Sequence, residues 1–143
     1  SSLPTDMMFT RHLTLPPVVA LLLATAAMAA PAAGTSPGAQ LEYWSTQAGA
    51  PGQAARGQAF FTRRHGGEWS CSSCHGTPPV GEGRHATTGK SIAPLAPAFN
   101  PRSITDSARS DKWFRRNCRD VLNRECSAGE KADVLAYLLT LKP

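Results

Sequence analysis

The sequence predicts an all-α fold of three to four helices, with one long loop that must wrap around something other than protein. Apolar residues recur at helical spacing in three stretches, and no stretch alternates as a strand does. The composition is rich in Ala, Gly and Pro and poor in β-branched residues, which argues against a β-sandwich. Residues 76–101 hold Pro78, Pro79, Pro94, Pro97 and Pro101 together with Gly76, Gly81, Gly83 and Gly89. So many breakers exclude a regular element, and a loop that long in a small domain needs a support.

The 143 residues correspond to one domain. Its N-terminal part reads as a leader. Arg11 and His12 supply a positive segment, Leu13 to Ala26 are almost wholly apolar, and Ala27-Met28-Ala29 is a small-x-small cleavage signature, with Ala30-Pro31-Ala32 as a second one. Residues 1–29 are therefore expected to be a signal peptide with a few upstream residues. The apolar run is short for a membrane span and contains Pro16 and Pro17, so no membrane association is expected after cleavage. Residues 30–52, rich in Ala, Gly, Pro and Ser, are expected to be a flexible lead-in, with Leu41, Tyr43 and Trp44 forming at most a short helical turn or a docking strip. Residues 53–143 remain as the folded domain.

Within it, Gln53 to Arg64 lack Pro and carry Phe60 and Phe61 on one side, a first helix. Gly57 weakens that helix, so its presence signals close packing. Ser110 is expected to cap a second helix that runs to about Leu122, with Asp111 in its first turn. Trp113, Asn117 and Val121 share one face of it, at i, i+4 and i+8. Ser127 and Glu130 form a capping box before a third helix, whose buried stripe is Val134, Leu135, Leu138, Leu139 and Leu141, flanked by Tyr137.

The net charge is +5. Asp6 and Arg11 are the charged residues of the leader, so the balance after it stays basic. In an exported protein this argues for steering toward an acidic redox partner rather than for nucleic acid.

Cys71-Ser72-Ser73-Cys74-His75 is the motif that carries chemistry. In C-x-x-C-H the two thiols add across haem vinyl groups and the histidine reaches the iron from one face. A thioredoxin-like pair needs a βαβ setting that is absent here, and a zinc site needs a second C-x-x-C. One covalently bound haem c is expected, with Cys71 and Cys74 as thioethers, His75 as the proximal ligand, and Trp113 and Val121 packing on the ring. The haem is also the support that the long loop needs. The helix before the motif and the amphipathic C-terminal helix resemble class I cytochromes c over most of Gln53 to Pro143. In that fold the two helices cross at a small residue and an aromatic, here Gly57, Phe60 or Phe61, and Tyr137.

The sixth iron ligand is the open question. The methionine usual in that class is missing, because Met7, Met8 and Met28 all lie in the leader. The candidates are His65, His85, Asn100, Asn117, Asn123, Lys90, Lys112, water or nothing. His65 lies six residues before Cys71, too close to wrap around the ring. His85 would make a plain electron carrier with a fixed ligand. Asn117 lies mid-helix, where Asn has no local reason to be.

The stretches Gly89-Lys90, Ile92-Ala93-Pro94-Leu95-Ala96-Pro97, Lys112 to Leu122 with its W-F-x-R-N-C run, Arg124-Glu125-Cys126 and Glu130 to Leu135 resemble the "sphaeroides haem protein" group of high-spin monohaem cytochromes c. The resemblance implies that Asn117 ligates the ferric iron and leaves on reduction, and that Cys118 and Cys126 form a disulfide. It also implies O2, NO, CO or related nitrogen oxides as ligands, a dihaem cytochrome c or a membrane cytochrome b as electron donor, and a periplasmic location. Eight residues of continuous helix would hold the two cysteines about 12 Å apart, so a bridge requires the helix to end between them, near Asn123. Turnover of O2 or nitrogen oxides would need a proton source, and no His or carboxylate is clearly positioned as one. A third reading makes the chain a subunit of a larger oxidoreductase, docked through Leu41, Tyr43 and Trp44.

Overall fold

The structure, a computed structural model, describes Ser2 and residues 36–143. The expected signal peptide lies outside the described residues. Five helices and a two-residue ladder form the fold among the described residues.

α1 spans Pro37–Ala48. The Ser36 hydroxyl accepts the Ala39 N–H at 3.1 Å, Pro37 supplies a preset φ in the first turn, and Gly49 ends the helix in the left-handed conformation at φ 71°. This corrects the expectation of a flexible lead-in over 30–52 for its described part, residues 36–52. A capped twelve-residue helix stands there and packs on the C-terminal helix. Its composition hides it: the face it buries rests on Gln40, Leu41 and Trp44 rather than on a repeating apolar stripe.

α2 spans Ala54–Thr62 and α5 spans Ala128–Thr140. They cross at Gly57, where a Cβ would collide with the Asp133 carbonyl and sit 3.0 Å from Tyr137 Cβ. Phe61 meets Tyr137 at 5.7 Å between ring centroids, so the crossing uses the glycine and aromatics expected for it. Asp133 locks the pair. Its carboxylate accepts the Gln53 N–H at 2.7 Å and both Arg56 Nε and Nη2 at 2.8 and 2.9 Å. Burial works to raise the Asp133 carboxyl, but these donors outweigh it and hold it below the usual carboxylate range. α5 begins with the expected capping box, Ser127 with Glu130.

α4 spans Ser107–Leu122. It starts three residues before the Ser110 cap expected from sequence, because Asp106 is an equally good cap and accepts the Arg109 N–H at 2.8 Å. Asn123, at φ 56°, ends it in the left-handed conformation. The chain then turns back, and Cys118 meets Cys126 in a disulfide with Cα atoms 5.6 Å apart.

α3, Cys71–His75, is a single turn between α2 and the long loop. The loop carries the antiparallel ladder of β1, Gly83–Arg84, and β2, Ser91–Ile92, too short to read as strands in the sequence. It is held by its own bonds: Ala96 N–H to Pro79 O at 3.0 Å and Asn100 Nδ2 to Pro94 O at 2.9 Å. The core joins Phe60, Phe61, Cys118, Cys126, Val134, Tyr137 and Leu138, with Cys71, Leu95, Ile104 and Phe114 packed against it. Among the described residues no helix is long and apolar enough to cross a membrane.

Candidate haem site

A five-residue helix of Ser and Cys is a poor helix former, and hydroxyls hold it in place. Ser70 N–H donates to Ser73 Oγ at 2.9 Å, and Ser70 Oγ lies 2.7 Å from Ser72 Oγ. The hairpin presses on its far end. A Cβ at Gly83 would collide with the Cys74 carbonyl, so the loop approaches α3 at backbone distance and needs glycine there. The Ala86 N–H points to Cys74 Sγ at 3.3 Å.

Cys71 and Cys74 are both thiols, half-buried on this turn. Burial pushes the Cys71 thiol up to about 11, so it stays protonated at neutral pH. Burial also pulls the His75 imidazole below its ordinary value, which keeps it neutral, the state in which it can ligate a metal. The His75 ring lies 6.1 Å from the Phe61 ring, and its Nδ1 is buried without a hydrogen-bond partner among the described residues. Opposite in character, Trp113 exposes 48% of its surface, a large apolar group in need of cover, with the Arg116 guanidinium 5.3 Å from its ring centroid. Val121, one of the two side chains expected to pack on a haem, is buried. Two thiols, a neutral imidazole and an uncovered indole fit a covalently attached haem.

The candidate sixth ligands differ in how they are engaged. His65 donates from Nε2 to Phe60 O at 2.8 Å and stacks on Phe60, so it closes the loop after α2. His85 accepts the Thr87 and Thr88 N–H groups at Nδ1, both at 3.2 Å, in the turn that abuts Cys74. Asn100 spans Pro94 O and the Arg102 N–H, and Asn123 caps α4. Lys90 and Lys112 are exposed. Asn117 is half-buried on α4 beside the disulfide, and its amide makes no side-chain hydrogen bond among the described residues.

Residues 47–138 match a family described as a domain of unknown function, DUF1924. The chain is 47% identical over 123 residues to the cytochrome c-type protein SHP of Cereibacter sphaeroides, covering 82% of this chain and 95% of that protein. The chain is a c-type cytochrome of the SHP family. Its fold matches oxidised SHP, an oxygen-binding cytochrome c, with a TM-score of 0.71 and 45% identity over 76% of this chain and 99% of that one. It also matches the solution structure of Methylophilus methylotrophus cytochrome c'', which bears on haem-ligand detachment, at a TM-score of 0.65 and 34% identity over 75% of this chain and 94% of that one. As a c-type cytochrome of this family, it carries covalently bound haem c.

Two residues outside the sequence-based site are notable in the structure. Lys131 is buried, 8% exposed, with Nζ 3.9 Å from the Trp44 ring centroid and 5.8 Å from that of Phe114. Burial lowers its pKa, opposed by Asp111 and Glu125. A lysine inside the apolar register of α5 is a signal the sequence offered. Trp44 is thus occupied inside the fold, which removes it from the docking strip expected with Leu41 and Tyr43. Gln40, 1% exposed, carried no such signal.

Proposed function

We propose that this chain is an exported, periplasmic monohaem cytochrome in which Asn117 is a weak ligand of ferric iron that leaves on reduction, opening the ferrous iron to O2, NO or CO. The observation that carries the reading is the uncommitted, half-buried amide of Asn117: His65, His85 and Asn100 have structural side-chain hydrogen bonds, Asn123 is exposed and ends α4 through its backbone, and the two lysines are solvent-exposed. A single C-x-x-C-H motif supports one haem. Cys71, Cys74 and His75 would hold the haem, which would supply a one-electron couple and an iron able to bind a small ligand. The Asn117 amide oxygen is a hard donor, matched to ferric iron and poorly matched to the softer ferrous state. His75, kept neutral by burial, is the permanent ligand. Oxygen binding by the related SHP, and the haem-ligand detachment studied in the Methylophilus protein, support the same reading. Electrons come from a dihaem cytochrome c or a membrane cytochrome b. The plain-carrier alternative with His85 loses support, because that ring accepts two backbone N–H groups beside the His75 turn.

Visible spectra of the ferric and dithionite-reduced protein, with and without CO, test this. The expected result is a high-spin ferrous spectrum that converts rapidly on CO addition, and altered ferric ligation in Asn117→Ala. A low-spin ferrous spectrum indifferent to CO would return the protein to the fixed-ligand carrier reading.

A further inference from the structure

α1 touches the rest of the molecule with an odd choice of residues. Gln40 and Trp44 are four apart and so share a face. Gln40 Nε2 donates to the Ile104 carbonyl at 2.8 Å, while its Oε1 is buried with no partner among the described residues. Ile104 itself stands at φ 57°, a left-handed conformation that a β-branched residue adopts only under constraint. Two costs therefore meet at one contact: an unpaired buried acceptor and a strained backbone. Both persist only where the surroundings over-determine them, and such sites gather at ligand clamps and switches. Ile104 lies two residues before Asp106, the cap of α4, so its φ and ψ set the direction in which α4 leaves the loop. The second contact of α1 reaches α4 further along. Trp44 holds the Lys131 ammonium on its face, and the same ammonium faces Phe114, one turn before Asn117.

We propose that Gln40 is a positioning residue: together with Trp44, acting through Lys131, it braces α4 so that Asn117 stands at the ferric iron, and Ile104 is the hinge where α4 gives when Asn117 leaves. The proposal rests on the reading of Asn117 as the ferric ligand. α1 is then part of the device that sets how firmly the ferric site is closed, and has no role once the site is open.

The test is azide binding to the ferric, haem-loaded protein, because azide must displace Asn117. Gln40→Met keeps size and burial but removes the donor. Its ferric azide affinity is expected to rise roughly three- to tenfold, the span of one neutral hydrogen bond. CO association with the ferrous form is expected to stay unchanged, and amide exchange in the first turns of α4 to quicken. In an Asn117→Ala background the same change is expected to add nothing to azide affinity. Should Gln40→Met fold poorly, Ile104→Gly removes the left-handed strain with Gln40 in place, which favours the braced arrangement, and is expected to shift azide affinity in the opposite direction, downward; unchanged or raised affinity there counts against the hinge. Parental azide affinity in Gln40→Met, alongside raised affinity in Asn117→Ala, overturns the brace and leaves the ligand reading intact. An equal gain with and without Asn117 also overturns it. No change in Asn117→Ala itself removes the ligand reading, and the brace with it.

Discussion

Asparagine appears three times in the folded part of this chain, and the three residues divide by their part in the fold. Asn100 holds the loop, Asn123 ends a helix, and Asn117 does neither. The amide oxygen is the weakest donor among the candidates, so replacing it with imidazole reverses the proposed behaviour. Asn117→His is expected to give a low-spin spectrum in both oxidation states, with CO association slowed by roughly tenfold or more, since displacing a bond stronger by ~1.4 kcal/mol already costs that factor. Stopped-flow CO mixing of the reduced variant checks it. The C-x-x-C-H run and the mid-helix Asn were legible as sequence, because each breaks a local rule in a way that chemistry explains. Gln40 was not legible: a glutamine among Ala, Gly and Ser is an ordinary surface residue until the distant Ile104 carbonyl is in position to accept from it.

Helix pairs determine what these residues can do. The α2 and α5 crossing is closed by Gly57 against the Asp133 backbone, with no room for a methyl group. Gly57→Ala is expected to destabilise the fold by about 1–3 kcal/mol or more despite its better helix propensity, read as a lower denaturant midpoint. The crossing was legible from one glycine and its neighbouring aromatics. The Asp133 lock was not, since an exposed-looking Asp in a helix gives no sign that it caps another element. Its folded pKa lies below the ordinary value, so its contribution is complete above the usual carboxylate range and is lost as pH falls through the folded pKa. Glu130, held down by Arg124, acts with the same sign. Stability is therefore expected to decline on acidification, and Asp133→Asn to flatten that acid limb while leaving a smaller stability at neutral pH. Thermal melts across the acid range check both. The cap of α4 shows why boundaries were the weak point: Asp106 and Ser110 are both competent caps, and only tertiary contacts choose between them.

At the scale of the whole molecule, all-α class was legible because the strand ladder is only two residues long and the loop too broken for anything else. The number of helices was not, because α1 owes its stability to packing on α5 rather than to its own pattern. Charge is the remaining whole-molecule property. Arg63 and Arg64 line an open cleft of about 400 Å³ with His65, Leu122 and Arg124. Arg124 is bonded to Glu130, whereas Arg63 and Arg64 make no ion pair among the described residues. Gly66, at the same cleft, is five residues from Cys71, so unpaired positive charge lies close in sequence to the proposed haem attachment. An acidic electron donor is attracted across water by such charge, and the attraction fades as the screening length falls from about 10 Å at 0.1 M salt to about 3 Å at 1 M. Reduction by an acidic protein donor is expected to slow steadily over that range. The double variant Arg63→Glu, Arg64→Glu is expected to be slow already at low salt and to lose most of its salt dependence, while reduction by a small neutral flavin stays at the parental rate. Stopped-flow reduction with both reductants separates the cases. A parental salt profile in the double variant moves the docking face elsewhere on the molecule, and slowing with the flavin as well assigns the effect to the haem site rather than to encounter.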